Sequence, residues 1–250
     1  MDHIRTVLNA LCRLHRIKVH CESALRKCTV FDALLQAAQA LLIQPSCPIG
    51  RASLEGNPAA KTGAELQPCG LCIEGYGLGQ SNTSGNEPLP WKALGTYQGE
   101  FRQLVLQIKQ QPQSRTGRAV IQLLANHHPL PQGALLVPIP SWKKKRSNPL
   151  PKLIAAGFGQ PSTMLLQRTR AGLSQHHLNR SMRMHNLHGA FHAAPAPHAS
   201  IQPKHELWLV DDILTTGATA LAARNALTQA GHRVHGVICL ARTPARRNGR

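Results

Sequence analysis

Acidic and aromatic residues are scarce in this sequence, and long apolar runs are missing from it. Asp and Glu number 11 among 250 residues, against 29 Lys and Arg, and only nine residues are Phe, Trp or Tyr. So few aromatic residues exclude the broad base-stacking sheets that RNA-recognition domains display. Apolar stretches such as Ala33 to Ile43 and Ala134 to Ile139 fall short of the roughly 18 residues that a membrane-spanning helix needs. We therefore expect no transmembrane segment and a core packed mainly from aliphatic side chains.

The length and the apolar content suffice for one folded domain with a small additional module. Hydrophobic residues make up 42% of the chain, which is enough to bury a sizeable core. Residues 1–29 are basic and predict an N-terminal extension. Residues 30–90 combine a predicted amphipathic helix, Val30 to Ile43, with a segment rich in Gly, Pro, Ser and Asn that carries cysteines. Residues 91–250 are predicted to form the main domain.

Positive charge dominates the chain, and the positions of its few acids are informative. The formal net charge is +18, and no Asp or Glu occurs between Phe101 and His205, a stretch with fourteen Lys and Arg. Such a segment attracts polyanions such as phosphates, nucleotides or nucleic acids. Solubility alone is the alternative interpretation, but soluble surfaces usually mix both signs. The two acids retained together at Asp211 and Asp212 indicate a task that needs negative charge, namely binding a metal ion or sugar hydroxyls.

The seven cysteines predict a reducing compartment and one small metal-binding cluster. Their odd number, without a secretory signal, argues against a disulfide framework, so we expect a cytoplasmic protein. Cys69 and Cys72 have the two-residue spacing that lets two thiolates reach one tetrahedral zinc ion. Cys47 begins a second such motif, but Gly50 stands where its second cysteine belongs. Two interpretations stay open: zinc held by Cys47, Cys69 and Cys72 with a histidine or water, or a loop without metal.

The C-terminal part of the chain has the pattern of a parallel strand, helix and strand. Leu207 to Val210 predicts a buried strand, Ala218 to Ala230 a helix, and Val234 to Ala241 the next strand. Gly133 to Pro138 predicts another buried strand. Short connections between alternating strands and helices are typical of an α/β fold with a parallel sheet flanked by helices. Ligands bind such sheets at the carboxyl ends of the strands, where Asp211 falls.

The loop between this strand and helix has the chemistry of a phosphate-binding turn. It reads Asp-Asp-Ile-Leu-Thr-Thr-Gly-Ala-Thr from Asp211 to Thr219. The hydroxyls of its three threonines and its consecutive backbone N–H groups can contact an anion at the positive end of the helix dipole. Gly217 allows a close backbone approach to that anion, and Ala218 leaves room for it. Helix capping by Asp212 and Thr215 is the simpler alternative.

The whole motif, four apolar residues followed by two acids and this turn, resembles the phosphoribosyl pyrophosphate (PRPP) motif of type I phosphoribosyltransferases. Further segments make the chain from about residue 45 to its end similar to the ComF/GntX family. They are Pro138 to Pro140, the basic loop after it, Gln167 to Arg170, Gln175, Arg180, Arg183, Asn186 to Phe191, and Cys239 to Thr243. One segment differs, because the family's Arg-Gly-Phe-Asn-Gln after the basic loop is here Arg146-Ser-Asn-Pro-Leu150.

The resemblance implies a fold and a set of site residues. The fold is a type I phosphoribosyltransferase-like parallel sheet flanked by helices, with a small N-terminal cysteine-containing zinc module. The catalytic acids would be Asp211 and Asp212, which hold the ribose 2′ and 3′ hydroxyls directly or through Mg²⁺. The turn that holds the 5′-phosphate would comprise Thr215, Thr216, Gly217, Ala218 and Thr219. The residues that face the pyrophosphate would be Pro140, Ser141, Lys143, Lys144, Lys145 and Arg146.

The resemblance also implies a function. The protein would bind PRPP, or another phosphorylated ribose, with Mg²⁺ and transfer phosphoribosyl to an unknown acceptor, in association with DNA uptake in natural competence. The alternative is a non-catalytic competence protein that keeps the PRPP fold, binds single-stranded DNA and works with the DNA-uptake machinery. A further group of cations would cover the site, contact nucleic acid or form a solvated face. It comprises Arg168, Arg170, Arg180 and Arg183.

Overall fold

The computed structural model describes residues 46–50, 67–80, 83–141, 148–169, 189–194 and 206–244. All of them lie in one compact unit that spans residues 46–250. The predicted basic extension over residues 1–29 and the predicted helix over residues 30–43 lie outside the described residues. The predicted domain boundary at residue 90 stays a prediction.

The described residues contain five helices and eight strands. The helices are α1 (Gly70–Gly75), α2 (Gly99–Gln110), α3 (Arg115–His127), α4 (Leu150–Gly157) and α5 (Ala218–Gln229). The strands are β1 (Ser84–Gly85), β2 (Trp91–Thr96), β3 (Leu135–Pro138), β4 (Leu166–Arg168), β5 (Phe191–Ala193), β6 (Leu207–Val210), β7 (Ile213–Leu214) and β8 (Val234–Arg242). None of these helices is long and apolar enough to span a membrane.

The main sheet is mostly parallel, as the pattern of strands and helices predicts. Its strands lie in the order β1, β2, β8, β6, β3, and β7 pairs with the end of β8. All neighbouring strands in it are parallel except β1, which is antiparallel to β2. β6, α5 and β8 form the predicted βαβ unit, with Val210 opposite Ile238. The carboxyl ends of β3, β6 and β8 therefore meet at one edge of the sheet.

The strands β3 and β6 are apolar and buried at every position because both faces of the sheet are covered. In β6, Trp208 and Val210 pack in a core cluster with α2, α3 and α4. Leu207 and Leu209 pack in the opposite cluster, together with α5, β4 and β5. Successive side chains of a strand point to opposite faces, so this four-residue strand contributes to both cores. The rigid strand ends provide the platform for the acids that follow β6.

Two strand pairings were not expected from the sequence pattern. β4 and β5 form a separate antiparallel pair, with Arg168 opposite Phe191. β7 lies inside the predicted loop after β6, where Ile213 and Leu214 pair with the last residues of β8. Two- and three-residue strands are too short for a periodic signal, so only long-range pairing reveals them.

Candidate functional site

Two acids follow β6 directly at the carboxyl edge of the main sheet. The Asp211 N–H donates to the Ile238 carbonyl at 3.0 Å, and the Asp212 carbonyl accepts from the Leu240 N–H at 3.0 Å. These bonds continue the pairing of β6 with β8 beyond the end of β6. Both acids are therefore fixed to the sheet, in the place that the sequence predicts.

The Asp212 carboxylate is occupied by the protein itself. Its Oδ1 accepts a hydrogen bond from the Ile213 N–H at 2.7 Å. Its Oδ2 lies 2.7 Å from Lys109 Nζ, in the last turn of α2, and also accepts from Asn148 Nδ2. The Asp212 side chain is only 11% exposed. Asp212 therefore ties α2 and the segment before α4 to the end of β6.

Sequence reasoning missed both partners of Asp212. Lys109 is one of many cations in the acid-free stretch, and nothing local distinguishes it. Asn148 lies in the segment that departs from the ComF/GntX pattern, and its Oδ1 accepts from the Leu150 N–H at 3.2 Å. The one available signal was an Asn just before a helix start, a position where such side chains often bond to the backbone.

Asp211 is the acid that remains available to a ligand. Its Oδ1 accepts from the Asp212 N–H at 2.9 Å, and no Lys or Arg in the described ranges forms an ion pair with it. Burial raises the pKa of Asp211 well above its usual range, and the adjacent charge of Asp212 raises it further. The ionised Asp211 is thus unfavourable by itself, and a bound cation or hydroxyl donors would stabilise it.

The predicted phosphate-binding turn leads from β7 into α5. Gly217 has a φ of 77°, in the left-handed region, and a Cβ there would overlap Pro88. Thr216 Oγ1 accepts from the Ala218 N–H at 3.3 Å. Within the described part of the chain, no hydrogen bond occupies the backbone N–H groups of Thr216, Gly217 or Thr219. Unoccupied N–H groups at the start of a helix are what an anion such as phosphate binds.

Arg242, at the end of β8, contacts the residues that lead into this turn. Its guanidinium donates to the Leu214 carbonyl at 3.0 Å and to the Thr215 carbonyl. The guanidinium also lies over the Trp91 ring, 5.5 Å from its centroid. Arg242 belongs to a segment that supports the ComF/GntX resemblance, but the sequence alone suggests no role for it.

Arg168 lies between the small β4–β5 sheet and the acidic pair. Its Nε donates to the Pro140 carbonyl at 3.3 Å, and its guanidinium covers the Phe191 ring at 4.6 Å. Burial lowers the pKa of Arg168, and the charge of Asp211 opposes that effect. Its Nη1 is buried and has no hydrogen-bond partner among the residues that the structure describes. Arg168 is therefore buried close enough to Asp211 for the charge of that acid to affect its pKa.

The residues predicted to face the pyrophosphate are described only in part. Pro140 and Ser141 are half-buried and follow β3, which ends beside β6 because the Ile139 N–H donates to the Val210 carbonyl at 2.9 Å. The other residues of this prediction and of the cationic group lie outside the described residues. They are Lys143, Lys144, Lys145, Arg146, Arg170, Arg180 and Arg183.

The three predicted metal ligands Cys47, Cys69 and Cys72 come together in a second place, called here the cysteine cluster. Their sulfur atoms lie within 4.8 Å of one another, and those of Cys47 and Cys72 are 3.6 Å apart. Tetrahedral zinc with bonds of about 2.3 Å places its sulfur ligands roughly 3.8 Å apart. The Cys69 N–H donates to Cys47 Sγ at 3.4 Å. The cysteine cluster can therefore hold a metal ion such as zinc.

The thiols of the cysteine cluster differ in acidity. Burial opposes the ionisation of Cys47, but hydrogen bonds from backbone N–H groups, the strongest from Cys69, outweigh it and lower its pKa to about 7. Burial and the neighbouring thiols raise the pKa of Cys72 to about 12. A divalent cation would reverse this repulsion, so metal binding by the cluster would release protons.

The chain is similar to known proteins over most of its length. The chain is 27% identical over 234 residues to the DNA utilization protein YhgH of Salmonella typhi, with 86% of this chain and 90% of that protein covered. It is 28% identical over 202 residues to the DNA utilization protein YhgH of Escherichia coli K12, with 70% and 78% covered. The resemblance to the ComF/GntX family is confirmed. As that resemblance implies, the chain combines a cysteine cluster with a mostly parallel sheet flanked by helices.

Two other comparisons add less. No protein-family model matches the chain. Among solved structures, adenine phosphoribosyltransferase from Leishmania tarentolae aligns with 54% of this chain and 74% of that chain, at 17% sequence identity and a TM-score of 0.32.

Proposed function

We propose that the protein binds PRPP or another phosphorylated ribose at the carboxyl edge of its sheet and transfers the phosphoribosyl group to an acceptor. One observation carries this proposal. Asp211, an acid without an ion pair among the described residues, follows the strand that leads into a turn with unoccupied N–H groups. A sugar phosphate needs this combination, because its phosphate accepts hydrogen bonds from N–H groups and its hydroxyls donate to a carboxylate.

The two acids have different parts in this proposal. Asp211 accepts hydrogen bonds from the ribose hydroxyls, while the unoccupied N–H groups of Thr216, Gly217 and Thr219 hold the 5′-phosphate. Asp212 is a positioning residue, since its oxygens already accept from Ile213, Lys109 and Asn148. It keeps the end of β6 and the start of α4 in fixed relative positions around the ligand.

Magnesium fits the donor chemistry of this edge. Mg²⁺ prefers oxygen ligands and is commonly held by one or two carboxylates together with substrate phosphates. Asp211 offers such a carboxylate. When bound, the ion would neutralise charge on the departing pyrophosphate. Because Asp211 must be ionised to bind it, the affinity for PRPP with Mg²⁺ should rise with pH through the raised pKa of Asp211.

The transfer itself requires charge stabilisation more than a strong base. The bond between the anomeric carbon and the pyrophosphate oxygen breaks, and its electron pair leaves with the pyrophosphate. A lone pair of the acceptor nitrogen forms the new bond to that carbon, and the acceptor then loses a proton to solvent. We expect Asp211 to stabilise the positive charge that develops on the ribose ring. Arg168 Nη1, a buried donor without a partner among the described residues, is available to an anionic group of a ligand.

The test is a calorimetric titration of the full chain with PRPP in the presence of Mg²⁺. Wild type is expected to bind, and Asp211→Asn to bind roughly tenfold or more weakly, because a hydrogen bond to a charged group contributes about 1.5–3 kcal/mol. Glu206→Gln is the matched control, since Glu206 precedes the opposite end of β6 and lies 3.6 Å from His235. A folded wild type that binds no PRPP, or an Asp211→Asn variant that binds as tightly as the control, would contradict the proposal.

Arg168→Met tests the guanidinium separately. Methionine keeps a long side chain over Phe191 but removes the donors, so PRPP affinity is expected to fall. The midpoint of urea unfolding should change little, because the hydrogen bond that the Arg168 side chain donates to the Pro140 carbonyl is long at 3.3 Å. A lower midpoint with unchanged affinity would assign Arg168 to the fold alone.

A second candidate function is the binding of single-stranded DNA. It is favoured by the name of the similar proteins, DNA utilization protein, and by the net charge of +18. Lys143 to Arg146 are four consecutive cations, and cations that contact DNA phosphates make the affinity fall steeply with salt.

Fluorescence anisotropy with a labelled single-stranded oligonucleotide separates the two functions. Replacing Lys143, Lys144 and Lys145 by Glu is expected to weaken DNA binding and to flatten its dependence on salt. Asp211→Asn should leave both unchanged. A wild type that binds this oligonucleotide but not PRPP would mean that the fold serves DNA handling without phosphoribosyl transfer.

A further inference from the structure

The side chains of Asp211 and Asp212 face opposite sides of the main sheet. Their backbone continues the pairing of β6 with β8, and successive side chains of a strand point to opposite faces. Asp212 points to the face that α2 and α4 cover, since it contacts Lys109 and Asn148. Asp211 therefore points to the other face, which α5 and the small β4–β5 sheet cover. Arg168, in β4, lies on the same face as Asp211.

The turn before α5 and the Arg168 side chain lie on opposite sides of Asp211 along the edge of the sheet. In the strand order, β6 lies between β8 and β3. The turn lies on the β8 side, because it follows β7, which pairs with β8, and because Gly217 approaches Pro88 just before β2. Arg168 lies on the β3 side, because its Nε donates to the carbonyl of Pro140, two residues after β3. A sugar phosphate with its phosphate in the turn and its hydroxyls at Asp211 would therefore extend toward Arg168.

The guanidinium of Arg168 is held in position by contacts that leave part of it available. Its Nε hydrogen bond to Pro140 and its place over the Phe191 ring, 4.6 Å from the centroid, fix its plane. Its Nη1 is buried without a hydrogen-bond partner in the described part of the chain. Burial lowers the pKa of Arg168, and the charge of Asp211 opposes that effect, although no ion pair joins these two side chains. The acid and the guanidinium are thus close enough to attract each other and far enough apart for a ligand group to lie between them.

A buried guanidinium with an unused donor favours an anionic group of the ligand. Burying a charge is costly unless the charge is paired and hydrogen-bonded, and the planar fork of an arginine matches the oxygens of a phosphate. The part of the sugar phosphate that reaches the β3 side is the substituent on its anomeric carbon. In PRPP this substituent is a diphosphate, whereas in ribose 5-phosphate it is a hydroxyl group. Only PRPP offers an anion to Arg168.

We propose that Arg168 is a specificity-determining residue that contacts the diphosphate on the anomeric carbon of PRPP and makes the site prefer PRPP to ribose 5-phosphate. This inference rests on the proposed function and adds the direction of the ligand along the sheet edge. The 5′-phosphate lies at the turn before α5, the ribose lies at Asp211, and the diphosphate lies beside Arg168 and Pro140. An acceptor with an acidic group is the other ligand that a guanidinium could bind here, and the test separates the two.

Calorimetric titrations of the full chain with PRPP, ribose 5-phosphate and inorganic pyrophosphate, each with Mg²⁺, test this inference. Wild type is expected to bind PRPP more tightly than ribose 5-phosphate. Arg168→Met should weaken the binding of PRPP and of pyrophosphate roughly tenfold or more and leave the affinity for ribose 5-phosphate unchanged. That unchanged affinity also shows that the variant is folded. Arg168→Lys, which keeps the charge but loses the planar fork, should bind PRPP with intermediate affinity.

Arg233→Met is the matched control, because Arg233 is exposed and precedes β8 at the opposite edge of the sheet. It removes the same charge and should leave all three affinities unchanged. If Arg168→Met weakened PRPP and ribose 5-phosphate by the same factor, the inference would fail while the proposed function stood. Unchanged binding of PRPP and pyrophosphate would leave Arg168 to the acceptor and would also overturn it, as would a wild type that binds the two sugar phosphates equally. A wild type that binds no PRPP would overturn the proposed function itself.

Discussion

Asp211 and Asp212 show how two identical neighbouring side chains acquire different properties from their surroundings. The Asp212 carboxylate is enclosed by an ammonium, an amide and a backbone N–H. Asp211 receives one backbone N–H and faces the charge of its neighbour. Asp212 therefore contributes to the stability of the fold. The ionised form of Asp211 reduces that stability.

Asp212→Ala is expected to lower the free energy of unfolding by about 1–3 kcal/mol, since it leaves the Asn148 amide and the Lys109 ammonium without their acceptor. Urea unfolding of the full chain measures this change. Asp211→Ala serves as the control and should destabilise the protein less, because Asp211 accepts a single backbone N–H and forms no ion pair with a described residue. Equal losses of unfolding free energy in the two variants would show that the side-chain contacts of Asp212 stabilise the fold no more than the single contact of Asp211 does.

The raised pKa of Asp211 also predicts how stability depends on pH. The folded protein holds the Asp211 proton more tightly than the unfolded chain does, so ionisation of this carboxyl lowers stability as pH rises from its unfolded pKa, about 3.9, through its folded pKa. Asp211→Asn stays neutral and escapes this loss. It should equal wild type in stability at low pH and exceed it increasingly at higher pH.

Thermal unfolding of both proteins over a series of pH values measures that difference. Glu206→Gln provides the comparison for an acid that lies just before the opposite end of β6, away from the site. A gap between Asp211→Asn and wild type that does not change with pH would show that the titration of Asp211 does not affect folding.

At the scale of elements, the backbone conformation of the turn between β7 and α5 depends on Gly217. Gly217→Ala places a side chain at a φ of 77°, which costs about 1–2 kcal/mol, and also pushes it against Pro88. Gly231→Ala is the matched control, because Gly231 has a φ of 86° just beyond the other end of α5 and nothing lies within 4 Å of a Cβ there. Urea unfolding should show a larger loss for Gly217→Ala.

Calorimetric titration extends this comparison to the ligand. Gly217→Ala should also lose PRPP binding, since the displaced backbone carries N–H groups proposed to hold the phosphate. Gly231→Ala should bind as wild type does. If the two variants lost the same stability and both bound PRPP normally, the close approach to Pro88 and the shape of the turn would be irrelevant to the site.

The strand, turn, helix and strand from Leu207 to Arg242 were predictable because their signals are local. A run of four apolar residues, two acids and a turn with glycine lie within a dozen positions, and helix and strand periods are read over such windows. β7 and the hydrogen bonds that Arg242 donates to the start of the turn were not predictable. They arise from pairing between residues that are far apart in sequence and leave no periodic pattern.

At the scale of the whole molecule, the same distinction explains which site residues the sequence could indicate. The acids and the threonines are recognisable as one motif. Lys109, Asn148 and Arg168 come from three other segments, and only the tertiary fold brings those segments near the acidic pair. The three cysteines were predictable from their spacing, but their convergence with Gly50 depends on the docking of residues 46–50 against α3.

The excess of positive charge acts over the whole molecule as well. With 29 Lys and Arg against 11 Asp and Glu, the surface potential favours anions and increases their encounter rate. The same potential serves a charged sugar phosphate and a DNA strand alike. Charge alone therefore does not distinguish the two proposed functions.

Because the ionised Asp211 is unfavourable in the folded protein, the melting temperature of the protein can report the binding of a ligand at this acid. A ligand that binds only the folded state raises the melting temperature, and one that also relieves the repulsion between the two acids should do so strongly. Mixtures of PRPP, Mg²⁺ and nitrogenous compounds can therefore be ranked by melting temperature before any product is known. Compounds that raise the melting temperature most are the candidates for the acceptor of the proposed transfer.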